Sequence, residues 1–135
     1  MSPIVHLVEA AAYVDDLDRA ERFYRETLGL ECLGREAGRH VFFRVGDGVL
    51  LLFNAEETLK GETLPAHGTK GPGHFALGIP ADSFDDWRRR LEGEGVVIEQ
   101  VVDWPRGGRS LYFRDPAGNA VELITPGLWG LPSGW

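Results

Sequence analysis

The strongest constraint on the fold is an internal repeat. When Gly38–Asn54 is laid over Gly108–Ile124 without gaps, five of the 17 positions are identical. Chance overlap would give about one identity, so a duplication is the better explanation. The first strands match at a different offset of 65 residues, which places Val14 over Ile79. The chain is therefore expected to contain two copies of one structural unit.

Each copy has the same predicted order of one strand, one helix and three strands. In the first copy a strand is predicted at Ile4–Val14, and Asp16 then caps a helix that ends at Gly29. The three strands that follow are predicted at Leu30–Arg35, Arg39–Arg44 and Val49–Asn54.

The second copy repeats this order after a segment rich in glycine and proline. A strand is predicted at His74–Ile79, and Ser83 opens a helix with Asp86 as its capping-box partner. Three more strands are predicted at Val96–Val102, Arg109–Arg114 and Asn119–Ile124. The prediction is an α+β fold in which two tandem βαβββ repeats form a curved, mostly antiparallel sheet cup, with the helices on its outer face.

The length of 135 residues suits a single domain. Repeat one is expected at about residues 4–54, a linker at 55–72, repeat two at about 73–124 and a tryptophan-containing tail at 125–135. The tail is expected to form an ordered cover, and His67 in the linker is expected to be exposed.

Composition excludes several classes of function. A formal charge of -7 argues against nucleic-acid binding, which needs clustered basic residues. The single cysteine, Cys32, excludes an intrachain disulfide and a thiolate metal cage. The longest aliphatic and aromatic run, Val49–Phe53, is too short to span a bilayer, so no membrane association is expected. Without a signal-like start, a cytoplasmic location is the default expectation.

Strand alternation places Glu9, His74 and Glu122 on the helix-free face of the predicted sheet. An unpaired carboxylate in an apolar strand is costly, and a divalent cation would compensate two of them directly. This donor set suits Mn, Fe, Zn, Co or Ni without selecting among them. The alternatives are a buried salt bridge from Glu9 to Arg39 or Arg109, and a simple strand histidine with an edge carboxylate.

Further polar and aromatic residues are candidates for substrate contact. His40 could be a base inside the cup or only a polar wall, and Tyr112 could offer its hydroxyl to a substrate or pack in the core. Arg109 could clamp an anionic group or form a surface ion pair. The tryptophans could line an apolar pocket or seal a core edge: Trp104, Trp129 and Trp135.

Four segments together resemble the vicinal oxygen chelate superfamily, up to about Ile124. They are Val14–Tyr24, Leu28-Gly29-Leu30, Gly73-His74-Phe75-Ala76, and the run Arg114–Leu123, which contains Asp-Pro-Ala-Gly-Asn-Ala-Val-Glu-Leu. The superfamily includes glyoxalase I, fosfomycin-resistance thiol transferases, extradiol dioxygenases, methylmalonyl-CoA epimerase and bleomycin-binding proteins.

The resemblance implies ligands on the first and last strands of each repeat. Carried over by position, these are Glu9, Leu52, His74 and Glu122, and since Leu52 is apolar it would line the substrate instead. The resemblance also implies that Glu122 or Glu9 could act as a base. It further implies a homodimer, in which Glu9 of one subunit could meet His74 and Glu122 of its partner.

The function expected on this basis is that of a metal-dependent enzyme. It would be a lyase, isomerase, transferase or dioxygenase acting on a small molecule chelated through neighbouring oxygens. The alternative is a non-catalytic module that binds a drug or metabolite, as in bleomycin resistance. A third possibility is a purely structural relative that binds neither metal nor ligand.

Overall fold

The computed structural model describes residues 2–62 and 64–135 of the chain. Two compact units are present, Met1–Gly71 and Pro72–Trp135. Each unit contains one four-stranded mixed sheet, and each follows a βαβββ order. The prediction of an α+β fold with two βαβββ repeats is confirmed.

The first unit has strand order β1-β4-β3-β2. Its strands are β1 (Glu9–Tyr13), β2 (Glu31–Glu36), β3 (His40–Val45) and β4 (Gly48–Phe53). Strand β1 runs parallel to β4, whereas the two other neighbouring pairs are antiparallel. The β1–β4 pair needs a long crossover connection, which the first helix provides.

Helix α1 (Leu17–Arg22) begins where predicted, because the Asp16 carboxylate accepts a hydrogen bond of 3.0 Å from the Arg19 backbone N–H. A π-helical turn, Phe23–Thr27, extends it, and Gly29 follows with a positive φ of 72°. The helix buries Tyr24 completely, with its ring 5.7 Å from that of Phe43. One face of the sheet thus forms the core of this unit.

The second unit has strand order β5-β8-β7-β6. Its strands are β5 (His74–Gly78), β6 (Gln100–Asp103), β7 (Arg109–Arg114) and β8 (Ala120–Ile124). Helix α3 (Phe84–Gly93) buries Phe84 and Leu91. A 3-10 turn, Ala81–Ser83, precedes this helix.

Some local predictions were wrong. Ser83 makes no side-chain cap on α3, because its hydroxyl instead donates to the Pro80 carbonyl at 2.8 Å. Strand β1 begins only at Glu9, and the segment 2–8 before it is exposed. The linker contains a short helix, α2 (Ala55–Thr58), which the Asn54 side chain caps by accepting from Glu56 N–H at 3.0 Å.

The two repeats differ by one residue in the connection before their last strand. Four residues separate the paired Arg44 and Val49, whereas five separate the paired Arg114 and Ala120. The last strands therefore correspond at an offset of 71, not the 70 used for the sequence overlap. Consequently Glu122 corresponds to Leu51, and not to Leu52.

No helix in the described parts of the chain is long and apolar enough to cross a membrane.

Candidate functional site

His74 and Glu122 lie side by side on the helix-free face of the second sheet. The parallel register of β5 and β8 pairs His74 with Ala120 and Ala76 with Glu122. The two side chains approach until His74 Nε2 is 3.3 Å from Glu122 Oε1. His74 Nδ1 lies 2.9 Å from the Ala120 carbonyl oxygen. Because a carbonyl only accepts, Nδ1 carries the proton and Nε2 faces the carboxylate.

The Glu122 carboxylate is buried and accepts a hydrogen bond from a β7 serine, which in turn accepts one from the loop before β7. Glu122 is only 6% exposed. The Ser110 hydroxyl donates to Glu122 Oε2 at 2.5 Å, and the Trp104 indole N–H donates to the Ser110 oxygen at 2.8 Å. This chain of two hydrogen bonds fixes one carboxylate oxygen and leaves the other facing His74.

Tyr112 completes the polar surface around this pair. Its ring stacks near that of His74, with centroids 6.2 Å apart. Burial raises the pKa of the Tyr112 hydroxyl most, and the charge of Glu122 and a hydrogen bond with Glu122 raise it further. A hydrogen bond with Ser110 lowers this pKa and partly offsets the shift. The hydroxyl therefore stays protonated at neutral pH and can act as a hydrogen-bond donor.

The donor chemistry of His74 and Glu122 fits a divalent metal ion. Two ligands at about 2.1 Å from a tetrahedral ion lie about 3.4 Å apart, close to the observed 3.3 Å. A metal-binding histidine usually donates its other N–H to a carbonyl or carboxylate, as His74 does. However, within residues 2–62 and 64–135 no three His, Cys, Asp or Glu side chains are arranged to hold a metal.

Glu9, the third predicted ligand, belongs to the first unit, whereas His74 and Glu122 belong to the second. It is the exposed first residue of β1 in the first unit. Among the described residues it makes no hydrogen bond or ion pair. The alternative of a salt bridge to Arg39 is wrong, because Arg39 contacts His40 at 2.7 Å instead. Arg109, in the second unit, pairs with Asp103 at 2.6 Å. The Glu9 carboxylate thus remains available to a ligand.

Two expected substrate contacts lie on the opposite, helix-facing side of their sheets. Leu52 is 0% exposed and pairs with Val41 in the core of the first unit. The Arg109 guanidinium lies 4.2 Å from the centre of the Phe84 ring, on the side of α3. The structure therefore corrects both assignments. Leu51 takes the position expected for Leu52, since it lines a cavity on the helix-free face.

His40 lies on the helix-free side of the first sheet, as its alternation predicts. Its ring stacks on Phe42, with centroids 4.0 Å apart, and its Nδ1 is 2.7 Å from an Arg39 guanidinium nitrogen. The His40 pKa is lowered, first by burial and then by Arg39, while Glu36 opposes this shift. His40 is accordingly neutral near pH 7.

Two contacts add to or differ from what the sequence patterns predict. Ser110 contacts Glu122, and its alternation with Tyr112 indeed puts both residues on the Glu122 face. His67 was expected to be exposed, but its Nδ1 lies 2.6 Å from the Tyr13 hydroxyl and its ring packs against Phe53. Trp135, one of the tryptophans considered for lining a pocket or sealing a core edge, covers Gly78, where an added Cβ would lie 2.5 Å from the indole.

Comparison with known proteins identifies the family of this chain. Residues 4–123 match the Glyoxalase/Bleomycin resistance protein/Dioxygenase superfamily. The chain belongs to this superfamily. A crystal structure of lactoylglutathione lyase from Agrobacterium tumefaciens is 40% identical, with a TM-score of 0.91. That similarity covers 96% of this chain and 100% of the lyase chain.

Other members of the superfamily are more distant. The metallothiol transferase FosB of Staphylococcus saprophyticus is 28% identical over 113 residues, which is 83% of this chain and 71% of the transferase. The fosfomycin resistance protein FosX of Mesorhizobium loti has 28% identity and a TM-score of 0.65, covering 93% of this chain and 96% of FosX. Members related to this chain thus include a lyase and a transferase.

Proposed function

We propose that this protein is a metal-dependent enzyme that acts on a small molecule chelated through neighbouring oxygens. The observation that carries this proposal is the orientation of His74. Its Nδ1–H is engaged by the Ala120 carbonyl, while Nε2 lies 3.3 Å from a buried carboxylate oxygen. This orientation supports the assignment, because two ligands of one divalent cation would be held in the same way.

We assign His74 and Glu122 as two ligands and Glu9 as the third. In the homodimer that the family resemblance implies, Glu9 would come from a second copy of the chain. The bound ion would supply Lewis acidity, which stabilises negative charge on a substrate oxygen. The relatives named as a lyase and as metallothiol transferases support this class of chemistry.

The surrounding side chains would orient the reacting groups. Ser110 and Trp104 hold Glu122 in one position, so the carboxylate needs little reorganisation. The protonated Tyr112 hydroxyl can donate a hydrogen bond to a substrate oxygen. Glu9 or Glu122 can accept a substrate proton, and the neutral His40 is a further candidate base.

Metal titration of the chelator-free protein tests this assignment. We expect wild-type protein to bind about one divalent ion per chain. We expect His74→Asn and Glu122→Gln each to weaken metal binding by more than about 100-fold. Mutation of residues that only hydrogen-bond to metal ligands already lowers metal affinity by about 10–100-fold. The matched controls are His6→Asn and Glu94→Gln, which alter exposed side chains and should leave the affinity unchanged. Circular dichroism verifies that each variant is folded.

The alternative is a module that binds a drug or metabolite without catalysis. The observation that favours it is an apolar cavity in the first unit, described below. Less than about a tenth of an equivalent of transition metal, even after reconstitution, would favour this alternative. The same result would rule out the metal-dependent enzyme.

A further inference from the structure

The first unit contains a cavity of about 500 Å³ on the helix-free face of its sheet. This volume is in the range of small-molecule sites. Its walls are mostly apolar, and three polar side chains interrupt them: Glu9, Arg39 and His67. The His74–Glu122 pair belongs to the other unit, so this cavity needs an explanation of its own.

Flat aromatic side chains define the shape of the cavity around Phe53. The ring of Phe42 lies 5.5 Å from it at 75°, and the ring of His67 lies 4.8 Å away at 76°. The Tyr13 hydroxyl fixes His67 at 2.6 Å, and His40 stacks on Phe42. These edge-to-face contacts hold the walls in place and favour a planar, apolar occupant.

Arg39 supplies a positive charge at one end of this apolar cavity. Its guanidinium carbon lies 5.5 Å from the centre of the Phe53 ring, and its contact at 2.7 Å is to neutral His40. Among the described residues no carboxylate lies within 4.0 Å of it. A guanidinium is always charged and is shaped to bind a carboxylate through two parallel hydrogen bonds.

Glu9 lies at the opposite end, so the cavity has two distinct poles. Glu9 is at the start of β1, where it pairs with Val49. At the other end of β1, Tyr13 pairs with Phe53. Phe53 also pairs with His40, the neighbour of Arg39. Four strand residues separate Glu9 from Tyr13, which corresponds to about 13 Å. An anionic group near Arg39 would therefore be well separated from the Glu9 carboxylate.

We propose that this cavity binds a planar aromatic carboxylate, with the carboxylate on Arg39 and the ring against Phe42, Leu51 and Phe53. The identification of such a compound as the substrate rests on the proposed function, in which Glu9 is a metal ligand. The substrate's chelating oxygens would then point to the Glu9 end. Binding of the aromatic acid itself requires no metal.

Calorimetry on metal-free protein tests the site with three probes of the same shape: 2-naphthoate, 2-naphthylmethanol and 2-naphthylmethylammonium. We expect wild-type protein to bind the carboxylate about 10- to 100-fold more tightly than the alcohol, the range for hydrogen bonds to a charged group. The ammonium probe should bind no better than the alcohol. The net charge of -7 opposes unspecific binding of anions, so a preference for the carboxylate reports a local site.

Variants assign that preference to Arg39. Arg39→Met should abolish it and leave the affinity for the alcohol unchanged. Arg44→Met is the matched control, because Arg44 is an exposed residue of β3, the strand that follows Arg39, and it pairs with Glu31 at 2.9 Å. It should behave as wild type. NMR shifts of the Ala11 and Leu51 methyl groups should locate the probe in the cavity.

Each outcome decides between the proposals. The aromatic-acid site would be overturned if neither the carboxylate nor the alcohol binds, or if the two bind equally. A preference for the carboxylate that survives Arg39→Met would overturn it as well. Shifts confined to residues outside the cavity would do the same. The test uses metal-free protein, so its result is independent of metal binding. A protein that binds naphthoate through Arg39 but no metal would keep this site and lose the proposed enzyme.

Discussion

Among single residues, Ser110 is central to the chain of hydrogen bonds that holds Glu122. Ser110 is fully buried and links the Trp104 indole to the Glu122 carboxylate. Its hydroxyl is therefore both donor and acceptor, a role that neither an apolar residue nor a main-chain group can fill at that position. The buried position of Ser110 therefore serves to hold the Glu122 carboxylate, and not to fill the apolar core of the second unit.

Replacing Ser110 with alanine should leave a buried carboxylate oxygen and an indole N–H without this partner. We expect the free energy of unfolding to fall by about 1–3 kcal/mol, the cost of an unsatisfied buried polar group. Urea unfolding followed by circular dichroism measures this. Ser110→Thr, which keeps the hydroxyl, should recover part of the loss. Equal stability of Ser110→Ala and wild type would show that the chain of hydrogen bonds contributes nothing.

His40 makes a second residue-level prediction, on pH. Burial and Arg39 lower its folded-state pKa below the unfolded value of about 6.5, so the unfolded chain takes up the proton first. Its stabilising contribution is thus present above pH 6.5 and is lost as the pH falls from there through the folded pKa. His40→Gln should reduce this acid sensitivity in urea unfolding series, while the exposed-site control His6→Gln should keep it. A wild-type pH slope in His40→Gln would contradict the prediction.

At the scale of elements, the connection between β7 and β8 sets the position of Glu122. The buried Asp115 carboxylate accepts hydrogen bonds from the backbone N–H groups of Ala117 and Asn119, at 3.0 and 2.8 Å. The Asn119 side chain in turn accepts from the Gly73 N–H at 2.8 Å, next to His74. This loop therefore ties the strand of one proposed ligand to the strand of the other.

Asp115→Ala should destabilise the second unit by about 2–3 kcal/mol, since it removes hydrogen bonds to a buried charge. The matched control is Asp47→Ala, in the corresponding turn of the first repeat, where the aspartate is exposed. That control should change stability by less than about 0.5 kcal/mol. Thermal unfolding compares the two variants, and similar losses in both would refute the special role of the β7–β8 loop.

The sequence predicted the elements well because the repeat and the strand alternation are strong signals. Alternation correctly put His74 and Glu122 on one face, since a strand has a strict two-residue period. The overlap failed at Leu52 because one extra residue in the β7–β8 loop reverses the face of every later residue. Contacts such as Trp104 to Ser110, or Arg109 over Phe84, depend on loop and rotamer geometry that periodicity does not encode.

At the scale of the whole molecule, the proposal requires two copies of the chain. His74 and Glu122 are two of the three proposed ligands, and no group of three His, Cys, Asp or Glu side chains that could hold a metal occurs within the described residues. Structural comparison with the lyase of Agrobacterium tumefaciens extends over 96% of the chain. The chain thus contains both repeats, and in the proposed homodimer the third ligand, Glu9, comes from a second chain.

Complementation between two inactive variants tests this arrangement. Glu9→Gln and His74→Asn should each lose tight metal binding as pure proteins. After the two are unfolded together and refolded, half of the dimers should be mixed, and each mixed dimer should contain one intact site. Bound cobalt, measured by its absorption after desalting, should recover to about a quarter of the wild-type value. No recovery would place Glu9 outside a site shared between chains.

Anomalous diffraction from crystals grown with cobalt would show whether His74 and Glu122 jointly bind a divalent cation. We expect an anomalous peak within about 2.3 Å of both His74 Nε2 and a Glu122 carboxylate oxygen. A cobalt-saturated crystal with no peak at this position, and with the imidazole still facing the carboxylate directly, would contradict joint binding.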